Sequence, residues 1–112
     1  MNNITNQSLS EILKSIKSKK ISSLELTQAY IKNIENAKKL NAFVTTTFDQ
    51  ALENAKKFDN KPNNEQLLSG IPLAVKDLFC TENVKTTAGS NILNNFVPSY
   101  ESTVTKNLWN LS

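Results

Sequence analysis

Residues 70–79 constrain the fold of this chain more than any other stretch. Gly70-Ile-Pro-Leu-Ala-Val is apolar and runs into Lys76-Asp77-Leu-Phe79. The segment 72–79 is too apolar for a surface, which predicts a strand covered on both faces. Pro72 opens it, where a missing N–H does least harm to a sheet ladder. A lysine at the end of a buried strand is costly unless something neutralises or uses it. Lys76 is therefore the residue with the best claim to a chemical role.

The rest of the chain reads as helices around a second, shorter strand. Ser8 and Glu11 have capping-box spacing, and Leu9, Ile12, Leu13 and Ile16 follow at helical intervals, which predicts a helix over 8–19. Ser22 and Glu25 repeat the box with Ile21 and Leu26 placed as a hydrophobic staple, predicting a helix over 22–39. Thr47 and Gln50 open a third helix over 48–58, with Phe48, Ala51, Leu52, Ala55 and Phe58 on its apolar side. Between them, 41–47 is rich in aromatic and β-branched residues and reads as a strand. The polar stretch 59–69 reads as a loop around Pro62. A last helix is expected over 102–111, with Val104, Leu108 and Leu111 on one side. Helices leading into open strands suggest one end of an α/β sheet. Two strands do not complete one, since sheets usually hold about five.

Composition narrows the chemistry. The 112 residues suit one small domain. All thirteen basic residues are Lys, and the net charge is only +3. Without Arg, the usual bidentate reader of phosphates and bases, a direct nucleic-acid site is not expected. The clusters at Lys17, Lys19 and Lys20, at Lys38-Lys39 and at Lys56-Lys57 fall near helix ends, where cations suit the helix dipole. There is no His, so acid–base work must use carboxylates, Lys, Tyr or Cys. Cys80 is the single cysteine, which leaves no disulfide within the chain and no Cys/His metal site. Neither a signal-peptide core nor a membrane span is legible, and a cytoplasmic protein is expected.

Three motifs in succession resemble the amidase signature family: Gly70-Ile-Pro-Leu-Ala-Val-Lys-Asp-Leu-Phe-Cys80, then Thr86-Thr-Ala-Gly-Ser90, then Phe96-Val-Pro-Ser-Tyr-Glu-Ser-Thr-Val-Thr-Lys-Asn-Leu-Trp109. Within that family, Tyr100-Glu-Ser-Thr-Val and Leu108-Trp109 favour the branch formed by the A subunits of glutamyl-tRNA(Gln) amidotransferases. Ser22-Ser-Leu-Glu-Leu-Thr and Leu40-Asn-Ala-Phe-Val resemble that branch's second helix and first strand, so the likeness covers residues 8 to 109.

The resemblance implies an α/β fold: the N-terminal part of the amidase signature fold, a mixed β-sheet core flanked by helices, incomplete in this chain. It implies a Ser–Ser–Lys triad in which one serine attacks a carboxamide and the lysine acts as base through a bridging serine. Lys76 matches that lysine. Ser–Lys pairs work without an imidazole, so the absence of His is compatible. The implied parent activity is release of ammonia from glutamine, used to convert Glu-tRNA(Gln) to Gln-tRNA(Gln). The implied partners are the B and C subunits of the amidotransferase, with ATP and Mg²⁺ held by the former. No cofactor or metal is expected in this chain. The family's two serines lie in a downstream Gly/Ser-rich segment that nothing here resembles. The chain is therefore expected to be an N-terminal fragment, inactive by itself.

Two alternatives accompany this reading: a fragment of another amidase signature amide hydrolase, and a non-catalytic helical interaction module. Asp77 either orients Lys76 or caps the following turn. Ser90, Ser99 and Ser102 read as turn or helix-cap residues and not as nucleophiles. Trp109 is expected in the core, Tyr100 as a buried aromatic with its hydroxyl satisfied, and Cys80 as a small buried apolar residue.

Overall fold

The computed structural model describes residues 3–112. It contains four α-helices: α1 (Leu9–Lys17), α2 (Ser23–Asn36), α3 (Phe48–Asn60) and α4 (Thr103–Leu111). The chain divides into two compact units, one extending to Pro72 and the other comprising Leu73–Leu111.

Both capping boxes form. The Ser8 and Ser22 hydroxyls accept the Glu11 and Glu25 N–H, and each glutamate returns a bond to its cap residue's N–H at 2.8 Å. These reciprocal bonds satisfy N–H groups that a helix start otherwise leaves open. They also hold the Glu11 and Glu25 carboxyls below the usual range, chiefly through the backbone N–H of Ser8 and Ser22. Helix α1 ends in a Schellman arrangement: Lys20 N–H donates to the Ser15 carbonyl and Lys19 N–H to that of Ile16, both at 2.9 Å. Lys19 itself takes φ +56°, a position that glycine fills at less cost.

The first unit buries Ile12, Ile16 and Leu26, with Ile4, Ile21, Tyr30, Phe58 and Ile71 packed around them. Leu26 is completely buried, so Leu26→Ala should cost about 2–5 kcal/mol through lost transfer energy and the cavity left behind. Helix α3 runs on through Asp59 and Asn60, which their polar neighbourhood assigns to a loop. Its expected cap is absent: Thr47 makes no side-chain cap bond. Asp59 instead reaches α2, its two oxygens accepting the Ser23 and Leu24 N–H at 2.9 Å each. The Ser23 hydroxyl donates to the Gly70 carbonyl at 2.7 Å and so ties residue 70 to the same helix start. Gly70 has φ +75°, and a Cβ there would lie 2.6 Å from the Phe58 ring. Only glycine fits both the conformation and the space.

The expected mixed sheet core is not there. Among the described residues no strand forms, and the one β-bridge is an isolated antiparallel pair between Thr81 and Val84. Both expected strands, 41–47 and 72–79, are irregular or turn-like. Several of their apolar side chains are not covered either: Phe43, Val44, Leu73 and Leu78 are exposed. Apolar, β-branched composition favours an extended backbone, but a strand exists only where a neighbour completes its ladder. Neither segment has such a neighbour among the described residues. The helix expected to reach residue 39 also stops early. Helix α2 ends at Asn36, a 3-10 turn covers Lys38–Leu40, and Asn41 ends that turn in the left-handed region at φ +50°.

In the second unit, α4 is anchored by Thr105, whose side chain is fully buried. The Thr105 hydroxyl bonds to Glu101, to the Ser102 hydroxyl and to the Cys80 carbonyl, while the Thr105 N–H donates to Ser102 Oγ at 3.1 Å. Ser102 is thus a helix cap. Burial pushes the Glu101 carboxyl up, but bonds from Thr105, the Glu82 N–H and Trp109 outweigh it and leave it low. Tyr100 and Trp109 are 56% and 39% exposed, against the buried positions expected for both. Tyr100 faces Cys80, with 3.5 Å between hydroxyl and sulfur.

Candidate functional site

The candidate site lies at one end of the second unit, where Lys76 and Asp77 enter a tight turn. Phe79 N–H donates to the Lys76 carbonyl at 3.1 Å and closes that turn. The Lys76 side chain is exposed, and its ammonium has no hydrogen-bond or ion-pair partner among the described residues.

Asp77 behaves quite differently. One carboxylate oxygen accepts the Thr87 N–H at 2.9 Å and the other accepts the Thr87 hydroxyl. The Asp77 carbonyl takes the Ala88 N–H at 2.7 Å. The Thr87 hydroxyl oxygen in turn accepts the Gly89 N–H at 3.2 Å. Thr87 and Ala88 are thereby held from position 77 directly, and Gly89 through the Thr87 hydroxyl. The Thr87 hydroxyl and N–H, helped by the Gly89 N–H and the Lys85 ammonium, pull the Asp77 carboxyl below its usual range. Asp77 forms no ion pair with the adjacent Lys76.

The held segment is a turn that few sequences adopt. Ala88 and Gly89 both have positive φ, +50° and +68°. Thr86 and Thr87 beneath it are each 5% exposed. Backbone bonds from Thr86 N–H to the Phe96 carbonyl (3.0 Å) and from Asn83 N–H to that of Pro98 (2.9 Å) fix the segment on its other side.

The serines occupy structural positions. Ser90 Oγ accepts the Ile92 N–H at 3.2 Å within a turn, and Ser102 caps α4. Ser99 is exposed. None of them bonds to Lys76. Sequence reasoning missed the role of Thr87, because nothing local marks a threonine ten residues away as the partner of an aspartate.

The first unit offers no rival constellation. It has a cavity of about 390 Å³ lined partly by Ile16, Ile21, Phe58, Lys17, Lys19 and Lys20. The carboxylates beside it, Glu25 and Asp59, are already engaged at the start of α2. Among the described residues no cluster of three or more His, Cys, Asp or Glu side chains could hold a metal ion. No helix there is long and apolar enough to cross a membrane.

A family profile described as Amidase matches residues 25–112, which includes Lys76, Asp77 and the Thr87 turn. This chain belongs to the amidase family. The amidase chain is also similar to curated proteins named as the A subunit of glutamyl-tRNA(Gln) amidotransferase. It is 58% identical to that of Pelagibacter ubique over 110 residues, covering 98% of this chain and 23% of the relative. It is 48% identical to that of Beijerinckia indica over 111 residues, with 97% and 22% covered. It is 49% identical to that of Rickettsia bellii over 112 residues, with 98% and 23% covered. The amidase chain therefore spans less than a quarter of the length of these relatives.

Proposed function

We propose that this chain is the lysine-bearing N-terminal part of a glutaminase subunit, in which Lys76 is the base that activates a serine through a second, bridging serine. That serine attacks the carboxamide carbon of glutamine, ammonia leaves with the transferred proton, and water releases glutamate from the acyl-enzyme. The observation that carries the reading is the 58% identity, over 98% of this chain, to a protein named as the A subunit of glutamyl-tRNA(Gln) amidotransferase. The unpaired Lys76 ammonium agrees with it, because Asp77 is held by Thr87 and does not neutralise it.

A lysine becomes a base near neutral pH when burial disfavours its ammonium, an effect that reaches roughly 3–5 units. Lys76 is exposed in these 112 residues. On this reading, further polypeptide carries the two serines, covers the amine and supplies the donors for the developing oxyanion. The ammonia serves the conversion of Glu-tRNA(Gln) to Gln-tRNA(Gln) in a cytoplasmic complex with the B and C subunits. ATP and Mg²⁺ belong to the B subunit, and this chain holds no cofactor.

Ammonia release from glutamine tests the proposal. The 112-residue chain should release none above background. Residues 1–109 joined to the remainder of the Pelagibacter ubique relative should restore turnover. Robust hydrolysis by the isolated chain, or an inert joined protein that is folded, overturns it.

A further inference from the structure

We propose that Asp77 is a positioning residue for Lys76, acting through Thr87 to fix the backbone from which the lysine projects. The inference rests on the reading of Lys76 as the base. A flexible four-carbon side chain places an amine reproducibly only if its Cα is held, and catalytic geometry tolerates errors of well under about 1 Å. Lys76 has no side-chain bond to hold it among the described residues, so its placement depends on its main chain. That main chain is fixed twice over: at Lys76 by the Phe79 N–H, at 3.1 Å, and at Asp77 by the Ala88 N–H, at 2.7 Å.

The side-chain bonds make the second tether specific. Asp77 offers an acceptor to the Thr87 N–H and another to the Thr87 hydroxyl, and that same hydroxyl oxygen receives the Gly89 N–H. These donors lie on a turn with two successive positive-φ residues, Ala88 and Gly89. An isolated chain does not hold such a turn unaided. The carboxylate keeps the turn in place, and the turn keeps residue 77 in place. Thr87 is almost fully buried, so this bonding is protected from competing water. Lys76 is left anchored through its main chain, with the neighbouring Asp77 carboxylate committed to Thr87 and not to its ammonium. A direct Asp77–Lys76 ion pair would stabilise the ammonium and oppose its use as a base.

The test has two arms. In the 112-residue chain, Asp77→Asn and Thr87→Val should each speed amide exchange at residues 87–89 by about tenfold or more, while exchange in α2 is unchanged. Unchanged exchange at 87–89 overturns the tether, whatever the enzyme assay shows. In the joined protein, rates are expressed per mole of folded protein. Asp77→Asn should lower kcat by about 10–100-fold with little change in KM, and Thr87→Val should do the same. Thr87→Ser, which keeps the hydroxyl, should retain most of the rate. Asp77→Asn combined with Thr87→Val should fall no further than either alone, since both cut one tether. A normal kcat in Asp77→Asn, or independent additive losses, overturns the positioning role. Lys76→Ala separates this outcome from failure of the underlying reading: if it leaves turnover intact, the base assignment fails and not merely the role of Asp77.

Discussion

Asp59, in the last turn of α3, accepts the Ser23 N–H at 2.9 Å and so helps to cap a helix from which it is 36 residues distant. Its other oxygen takes the Leu24 N–H, while the cap residue Ser22 and Glu25 complete the same helix start locally. A helix N-terminus leaves four N–H groups without intrahelical partners, and a carboxylate is well suited to them. The pairing joins α2 to α3 by polar bonds beside the apolar contacts of Leu26 and Phe58.

Asp59→Ala should therefore destabilise the first unit by about 1–2 kcal/mol, the usual cost of a lost helix cap with partly buried donors. Urea titration followed by helical circular dichroism measures it. Asp59→Asn, which keeps one acceptor, should lose less.

Gly70→Ala should cost roughly 2 kcal/mol or more. It combines a positive φ of +75° with a Cβ 2.6 Å from Phe58. Pairing it with Phe58→Leu should recover part of the loss by removing the clash but not the strained φ. Full recovery would mean that the backbone conformation at residue 70 is not strained.

Lys19→Gly should act in the opposite direction. Lys19 sits at φ +56° after α1, where a side chain is penalised and glycine is not. Allowing for the entropy glycine loses on folding, the net gain is on the order of 0.5 kcal/mol. It should show as a higher urea midpoint with an unchanged slope.

Acid should weaken both units in one pH window. Glu11, Glu25, Asp77 and Glu101 all have carboxyls lowered in the folded chain. A group with a depressed folded pKa binds protons more weakly when folded, so its contribution is present above the unfolded value and lost as pH falls. The ordinary values are 4.5 for the glutamates and 3.8 for the aspartate. Stability should thus be level near neutrality and fall progressively below about pH 5. Melting temperatures recorded from pH 7 to pH 3 check this, and Glu25→Gln should flatten the lower part of the curve.

The local parts of this architecture were legible in the sequence, and the relational parts were not. Ser8–Glu11 and Ser22–Glu25 are three residues apart, so one pattern specifies both partners of each cap. Asp59 reaching Ser23, and Asp77 reaching Thr87, depend on how separated segments pack, and no spacing rule announces either. The sheet failed for a related reason. The apolar character of residues 72–79 records a need for cover that the described residues do not meet, and Leu73 and Leu78 remain exposed. Tyr100 and Trp109 repeat the lesson: their size suggested burial, yet the second unit leaves a large part of each open to solvent. At the candidate site, the motif drew attention to Lys76, which lies within the matched family region, but only the structure shows that Asp77 turns away from it toward Thr87.

The rate of glutamine hydrolysis by the joined protein, with and without the Lys76 amine, tests the proposed chemistry most directly. Lys76→Ala should reduce kcat by about 10³-fold or more while the protein stays folded and binds glutamine, as expected when the base of a triad is removed. A kcat within a few-fold of the unaltered protein would contradict the assignment of Lys76 as the base.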